Sequence, residues 1–188
     1  ARAYARVNRI DGVTFGAART RFGIVTAGKA CGDVHGALAL LGIDAAAADA
    51  IGLAVYRVGM VWPLEPEALR EFAEALDEVL VVEERRAIVE PQLKEQAYLW
   101  PAGRRPLVVG KIDESGAALL PEGGVLSPLR VAKVIAQRLA RRGVAAQALA
   151  RLDATGATAL QPEVGIPAPV PESARAADTP SAVPPADT

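Results

Sequence analysis

The chain has 188 residues, 51% of them hydrophobic and 23% charged, which supports one core and leaves no room for two full domains. Its 21 Lys and Arg against 22 Asp and Glu give a formal net charge of -1, so no bulk attraction to nucleic acid or to an anionic membrane is expected and partners must be recognised locally. A single cysteine, Cys31, excludes an internal disulfide and any zinc or iron–sulfur site built from several thiolates of this chain, and it fits a reducing, cytoplasmic compartment.

In chain order, ARAYARVNRI opens like the end of a basic amphipathic helix, so residues 1–20 are expected to close a preceding segment cut at its start. No apolar run there or elsewhere reaches the roughly 18 residues of a membrane span. From Phe22 onward, short apolar runs alternate with longer stretches of helical period, the pattern of a parallel sheet covered by helices. FGIVTAG at 22–28 reads as the first strand and its turn, LAVYRVG at 53–59 as the second, VLVVEE at 79–84 as the third and PLVVGKI at 106–112 as the fourth.

Between them Ala30, Val34, Ala37, Leu38 and Leu41 recur at helical spacing, as do Leu69, Phe72, Ala73 and Leu76. In the third crossover Pro91 belongs in a first helical turn, which places that helix after Glu90. Ser127 and Pro128 read as the cap and first residue of a last helix through LRVAKVIAQRLARR, stopped by Gly143. Seven of the 14 prolines fall between Pro162 and Pro185 among Ala, Ser and Thr. Such composition cannot offset its ordering entropy, so 151–188 is expected to be a disordered linker after a domain at 21–150. No internal repeat is visible.

Several motifs come close to known chemistry and stop short. GIVTAGK at 23–29 has phosphate-loop spacing, but Ala30 replaces the hydroxyl residue that would hold magnesium, and Ile24 to Thr26 read as strand, leaving no loop. What survives is the turn Gly28-Lys29 at a helix N-terminus, where free N–H groups and the helix dipole favour anions; a tight turn with a surface lysine is the plainer reading. In CGDVHG, Val34 stands where the thiamine-diphosphate motif has its second glycine. Cys31 and His35 lie one turn apart with no third ligand, so no metal site is expected, and no serine lies near either for a nucleophile and base pair.

Glu83 and Glu84 end the third strand, where open parallel sheets take ligands. They read either as a carboxylate pair for acid–base or cation chemistry, or as favourable charges at the next helix N-terminus paired with Arg85 or Arg86. Aromatic residues, 4% of the chain, are too few and scattered for base stacking.

Taken together, GIVTAGKA, VGMVWPLEPE and VVEERR with its downstream QLKE, within Arg21 to Arg142, resemble the middle domain of indolepyruvate ferredoxin oxidoreductases, in particular the long fused bacterial form. That resemblance implies an α/β fold of three layers, a mostly parallel open sheet flanked by helices, like the C-terminal domain of transketolase. It also implies thiamine-dependent oxidative decarboxylation of an aryl 2-oxoacid such as indolepyruvate to an acyl-CoA, with ferredoxin as acceptor. Thiamine diphosphate, magnesium and the iron–sulfur clusters are then expected on other domains of a homodimeric parent enzyme, and no catalytic residue is expected here.

The segment would act as an inactive structural domain facing its neighbours through Gly28, Lys29 and the Arg57 to Trp62 turn, with Arg57, Met60 and Trp62 as contact residues. The alternative is a phosphorylated-ligand or nucleotide-binding module using Gly28-Lys29. Cys31, where an aromatic is common in the family, and the Pro-rich tail are departures from its pattern. Pyruvate and 2-oxoglutarate stay open as substrates.

Overall fold

The computed structural model describes residues 1–17 and 19–144. The expected linker at 151–188, and the expected domain end at 150, lie outside the described residues. Five strands, β1 (Gly12–Gly16), β2 (Phe22–Ala27), β3 (Leu53–Val58), β4 (Glu78–Val82) and β5 (Leu107–Val109), form one sheet in the order β1-β3-β2-β4-β5. The β2–β3, β2–β4 and β4–β5 pairings are parallel, whereas β1 runs antiparallel to β3 with a bulge between Val13 and Phe15. The helices are α1 (Arg2–Val7), α2 (Lys29–Leu41), α3 (Ala45–Ile51), α4 (Pro66–Ala73), α5 (Val89–Tyr98) and α6 (Pro128–Arg141).

Strand alternation divides the core. Phe22, Ile24, Val55, Leu80 and Val82 face α2, α3 and α6, packing on Val34, Leu38, Val131 and Ile135. Val25, Tyr56, Val79 and Val81 face the other way, onto Leu69 of α4 and Leu93 of α5. Helices therefore cover both faces of a mostly parallel sheet, the three-layer α/β architecture that the pattern of runs predicts.

Local chemistry sets the element ends. Asp44 caps α3 through Ala47 N–H at 2.8 Å, and Glu65 caps α4 through the N–H groups of Glu67 and Ala68. Ser127 caps α6 with Pro128 in its first turn, and the helix closes before Gly143, whose φ of 75° is the left-handed region that glycine occupies freely. The helix expected after Glu90 begins two positions upstream at Val89; Pro91 sits in its first turn, where no N–H is needed.

Two elements differ from the expected layout. The first twenty residues, expected to belong to a preceding segment, contribute β1 to the sheet. They also contribute α1, whose Arg6 pairs with the buried Glu65 at 2.6 Å and so fastens α1 to the start of α4. Glycines make the close approach of β1 possible: a Cβ on Gly16 would stand 2.2 Å from Leu53 O. The second concerns the fourth strand, which ends at Val109, since Gly110 and Lys111 turn away to meet Glu90.

Candidate functional site

The chain leaves β2 through α2 on one face and returns as β3 on one side, and it leaves β4 through α5 on the opposite face and returns as β5 on the other. The gap between the C-terminal ends of β2 and β4 is thus the point where the winding reverses, and there open α/β sheets present a crevice. Gly28 and Lys29 follow β2, and Glu83 and Glu84 follow β4, so all four residues singled out from sequence meet at this crevice.

Because β2 runs through Ala27 and α2 begins at Lys29, Gly28 alone separates strand from helix. It takes φ 57° and ψ -133°, and a Cβ there would meet nothing within 4 Å, so backbone conformation and not crowding calls for glycine. Lys29 Nζ bonds Asp33 Oδ2 at 2.7 Å, Leu126 O at 2.8 Å and Glu84 Oε1 at 3.0 Å. An ammonium has three donors, and all three are spent within the protein. The hydrogen bond to Asp33, and then that to Glu84, raise the Lys29 pKa above its ordinary value, and the same bond from Lys29 holds Glu84 below the usual carboxylate range.

Glu83 does something else. Its carboxylate accepts the N–H groups of Ile88, Val89 and Glu90 at 2.9, 3.0 and 3.1 Å, capping α5 from six residues upstream. Adjacent residues leave a strand on opposite faces, so Glu83 turns to α5 and Glu84 to α2. The two carboxylates diverge instead of forming an acid–base pair. Glu84 pairs with Lys29 in place of the expected Arg85 or Arg86.

Lys111 was not among the residues singled out. Its buried Nζ donates to Glu83 O at 2.6 Å and Pro121 O at 3.2 Å, and its backbone N–H donates to Glu90 Oε2 at 2.9 Å. Burial pushes its pKa down against the opposing pull of Glu83 and Glu90. The available signal was the glycine before it: a Cβ on Gly110 would lie 2.4 Å from Glu90 Oε2, so Gly110 marks a close approach at the strand end.

The Gly-Asp pair within CGDVHG lies inside α2, and the Asp33 carboxylate is buried and paired with Lys29. This carboxylate does not fit a magnesium diphosphate site. His35, one turn from Cys31, meets the Phe15 ring edge-on with centroids 6.1 Å apart.

The Arg57 to Trp62 segment, which runs from the last two residues of β3 into the turn that follows, lies beside the crevice. The Asp11 carboxylate accepts Gly59 N–H at 2.7 Å and Met60 N–H at 3.1 Å. From the other side the buried Gln92 amide bonds Val61 O and Leu64 N–H, both at 2.9 Å. With its backbone fixed, the turn presents an exposed Arg57, a half-buried Met60 and a Trp62 that is 71% exposed. Trp62 and Leu99 flank a groove of about 310 Å³ whose walls include Arg2, Gln92 and Gln96.

Residues 12–161 match the family model described as the indolepyruvate oxidoreductase domain. The chain belongs to that family. Among solved structures it is similar to the 2-oxoglutarate:ferredoxin oxidoreductase from Magnetococcus marinus, with 2-oxoglutarate, coenzyme A and succinyl-CoA bound, at 15% identity and a TM-score of 0.47. That similarity covers 69% of this chain and 19% of the solved one. No curated protein matches the sequence. Among the described residues, no single helix of this indolepyruvate oxidoreductase domain is long and apolar enough to cross a membrane.

Proposed function

We propose that this indolepyruvate oxidoreductase domain is a scaffold and interface domain of a cytoplasmic 2-oxoacid:ferredoxin oxidoreductase. In this reading the parent enzyme is a homodimer that decarboxylates indolepyruvate or a related aryl 2-oxoacid and passes acyl to CoA and electrons to ferredoxin. Thiamine diphosphate, magnesium and the iron–sulfur clusters sit on its other domains, and the domain itself, which resembles the transketolase C-terminal domain, is inactive when isolated.

The observation that carries this reading is the contrast between two adjacent surfaces. At the crevice, Lys29 has spent every donor on the protein and Glu83 is committed to α5, so the charged groups serve the fold. Beside it, a rigid turn holds Trp62 out to solvent, and an ordered, desolvatable aromatic is what an interface anchor requires. The competing reading, a phosphorylated ligand at Gly28-Lys29, would first have to displace Asp33, Glu84 or Leu126 from the ammonium.

The test is viologen reduction by the enzyme that carries this domain, with indolepyruvate, other aryl pyruvates, pyruvate and 2-oxoglutarate in the presence of CoA. Turnover with an aryl 2-oxoacid is expected, together with none from the 188-residue chain alone. Absence of turnover with every 2-oxoacid overturns the assignment. Trp62→Ser should weaken assembly of the domain with the rest of the enzyme by roughly tenfold or more while leaving the far-ultraviolet circular dichroism of the isolated chain unchanged.

A further inference from the structure

Between β5 and α6 the chain crosses the same end of the sheet that bears the crevice. Leu120 and Leu126 enter the core on the α2 and α6 face, while Glu122, Gly123, Gly124 and Val125 between them are exposed. Residues 120–126 make no backbone-to-backbone hydrogen bond among the described residues, so the span is held by side chains. Lys111 Nζ holds Pro121 O at 3.2 Å, and Lys29 Nζ holds Leu126 O at 2.8 Å. The backbone N–H of Leu126 adds, after Lys29, to what holds Glu84 below the usual carboxylate range. Lys29, paired with Glu84, therefore holds the backbone of Leu126 by its carbonyl, and the two members of the pair come from the two strand ends that border the crevice.

We infer that Pro121–Leu126 is a strap closed over the crevice between β2 and β4, and that the Lys29–Glu84 pair is its latch. The latch is built to release: Lys29 is 55% exposed, so water competes for its ammonium. The strap is built to move, because Gly123 and Gly124 supply conformational freedom between two pinned ends, and Gly124 already stands at φ 78°. Opening would free a donor on Lys29 beside the uncapped start of α2. In the closed form that donor is satisfied by the Leu126 carbonyl, which makes its availability conditional on the strap.

The reporter is the amide of Leu126, followed by hydrogen exchange in nuclear magnetic resonance spectra of the 188-residue chain, with Ile24 and Val81 as core references. Lys29→Met should speed Leu126 exchange about tenfold and leave the references unchanged, because only a local opening is made easier. Glu84→Gln should act in the same direction by about threefold, since an amide oxygen still accepts. Gly123→Ala should slow exchange by roughly two- to fivefold by narrowing the open ensemble; a Cβ there meets nothing within 4 Å. Lys133→Met, an exposed change on α6, is the control. Leu126 exchange within twofold of wild type in Lys29→Met, or exchange that follows Ile24 and Val81 in every variant, overturns the inference, and neither result bears on which reaction the parent enzyme performs.

Discussion

Glu83 and Glu84 are neighbours in sequence, yet one stabilises a helix and the other a strap. Three buried or half-buried N–H groups depend on the Glu83 carboxylate, and its backbone carbonyl accepts from Lys111, so the residue is committed to the fold. Glu83→Ala should lower stability by about 2 kcal/mol, since the orphaned donors at the start of α5 lose a charged acceptor, and Glu83→Gln by about 1 kcal/mol. Urea denaturation of both variants checks this; equal stability of Glu83→Ala and wild type would show that the cap does not matter to the fold. At this scale the sequence located the polar cluster but could not pair it. Lys29 and Glu84 are 55 positions apart, and Leu126 is 97 positions from Lys29. The spacing of charges along the chain carries no information about which strands become neighbours. Glu84 next to Arg85 and Arg86 suggests a local partner that the strand geometry turns away.

Elements with strong signals are those whose neighbours left no choice. β4 reads as an unbroken apolar run because both its faces are buried, and α6 reads from its Ser-Pro start, its apolar stripe and its glycine stop. β1 was invisible because Gly-Val-Thr-Phe-Gly is short, bounded by glycines and half exposed, so alternation never extends far enough to be seen. The seams between elements are ionic, and two of them make different predictions. Arg138 of α6 is 1% exposed and bonds the buried Glu78 of β4 at 2.6 Å. Arg138→Ala should cost about 3–5 kcal/mol because it strands a buried carboxylate, whereas replacing both partners together by Met and Leu should recover most of that loss. The denaturation midpoints of the single and double variants distinguish these outcomes.

Asp77 gives the pH-dependent case. Its carboxylate bonds Arg142 at 2.7 Å and Arg21 at 2.9 Å, joining the end of α6 to the start of β2, and the bond from Arg142, followed by that from Arg21, holds its pKa below the ordinary 3.8. The folded state therefore favours the ionised form. The contribution is fully present above the unfolded value and disappears as pH falls through the lower folded one. Stability measured by urea titration from pH 5 downward should fall less steeply in Asp77→Asn than in wild type, and in high salt the two should converge, because the carboxylate is 42% exposed.

For the molecule as a whole, the sequence shows a three-layer sheet and a family resemblance, and both the fold and the family match support that reading. The boundary at residue 21 follows from the hydropathy pattern, yet the sheet begins at Gly12, where the family match also begins. The distinction has a physical consequence. Without β1, the edge of β3 would present unpaired N–H and C=O groups along Leu53–Val58, and the contacts of Phe15 against His35 would be lost. Removal of α1 would also leave Glu65 buried without Arg6, and the Asp11 carboxylate that holds Gly59 and Met60 would go with it. A chain starting at residue 21 should therefore be less stable than the full chain by several kcal/mol, on the order of one buried ion pair plus one strand's packing, and should self-associate through the exposed edge. Sedimentation velocity and denaturation midpoints of chains starting at residues 1, 12 and 21 separate the contributions. Starting at residue 12 should restore the edge strand and its monomeric behaviour but not the anchoring of the Trp62 turn, because Asp11 is still missing. If the chain from residue 21 is as stable and as monomeric as the full one, β1 is an ornament of the sheet and not part of what closes it.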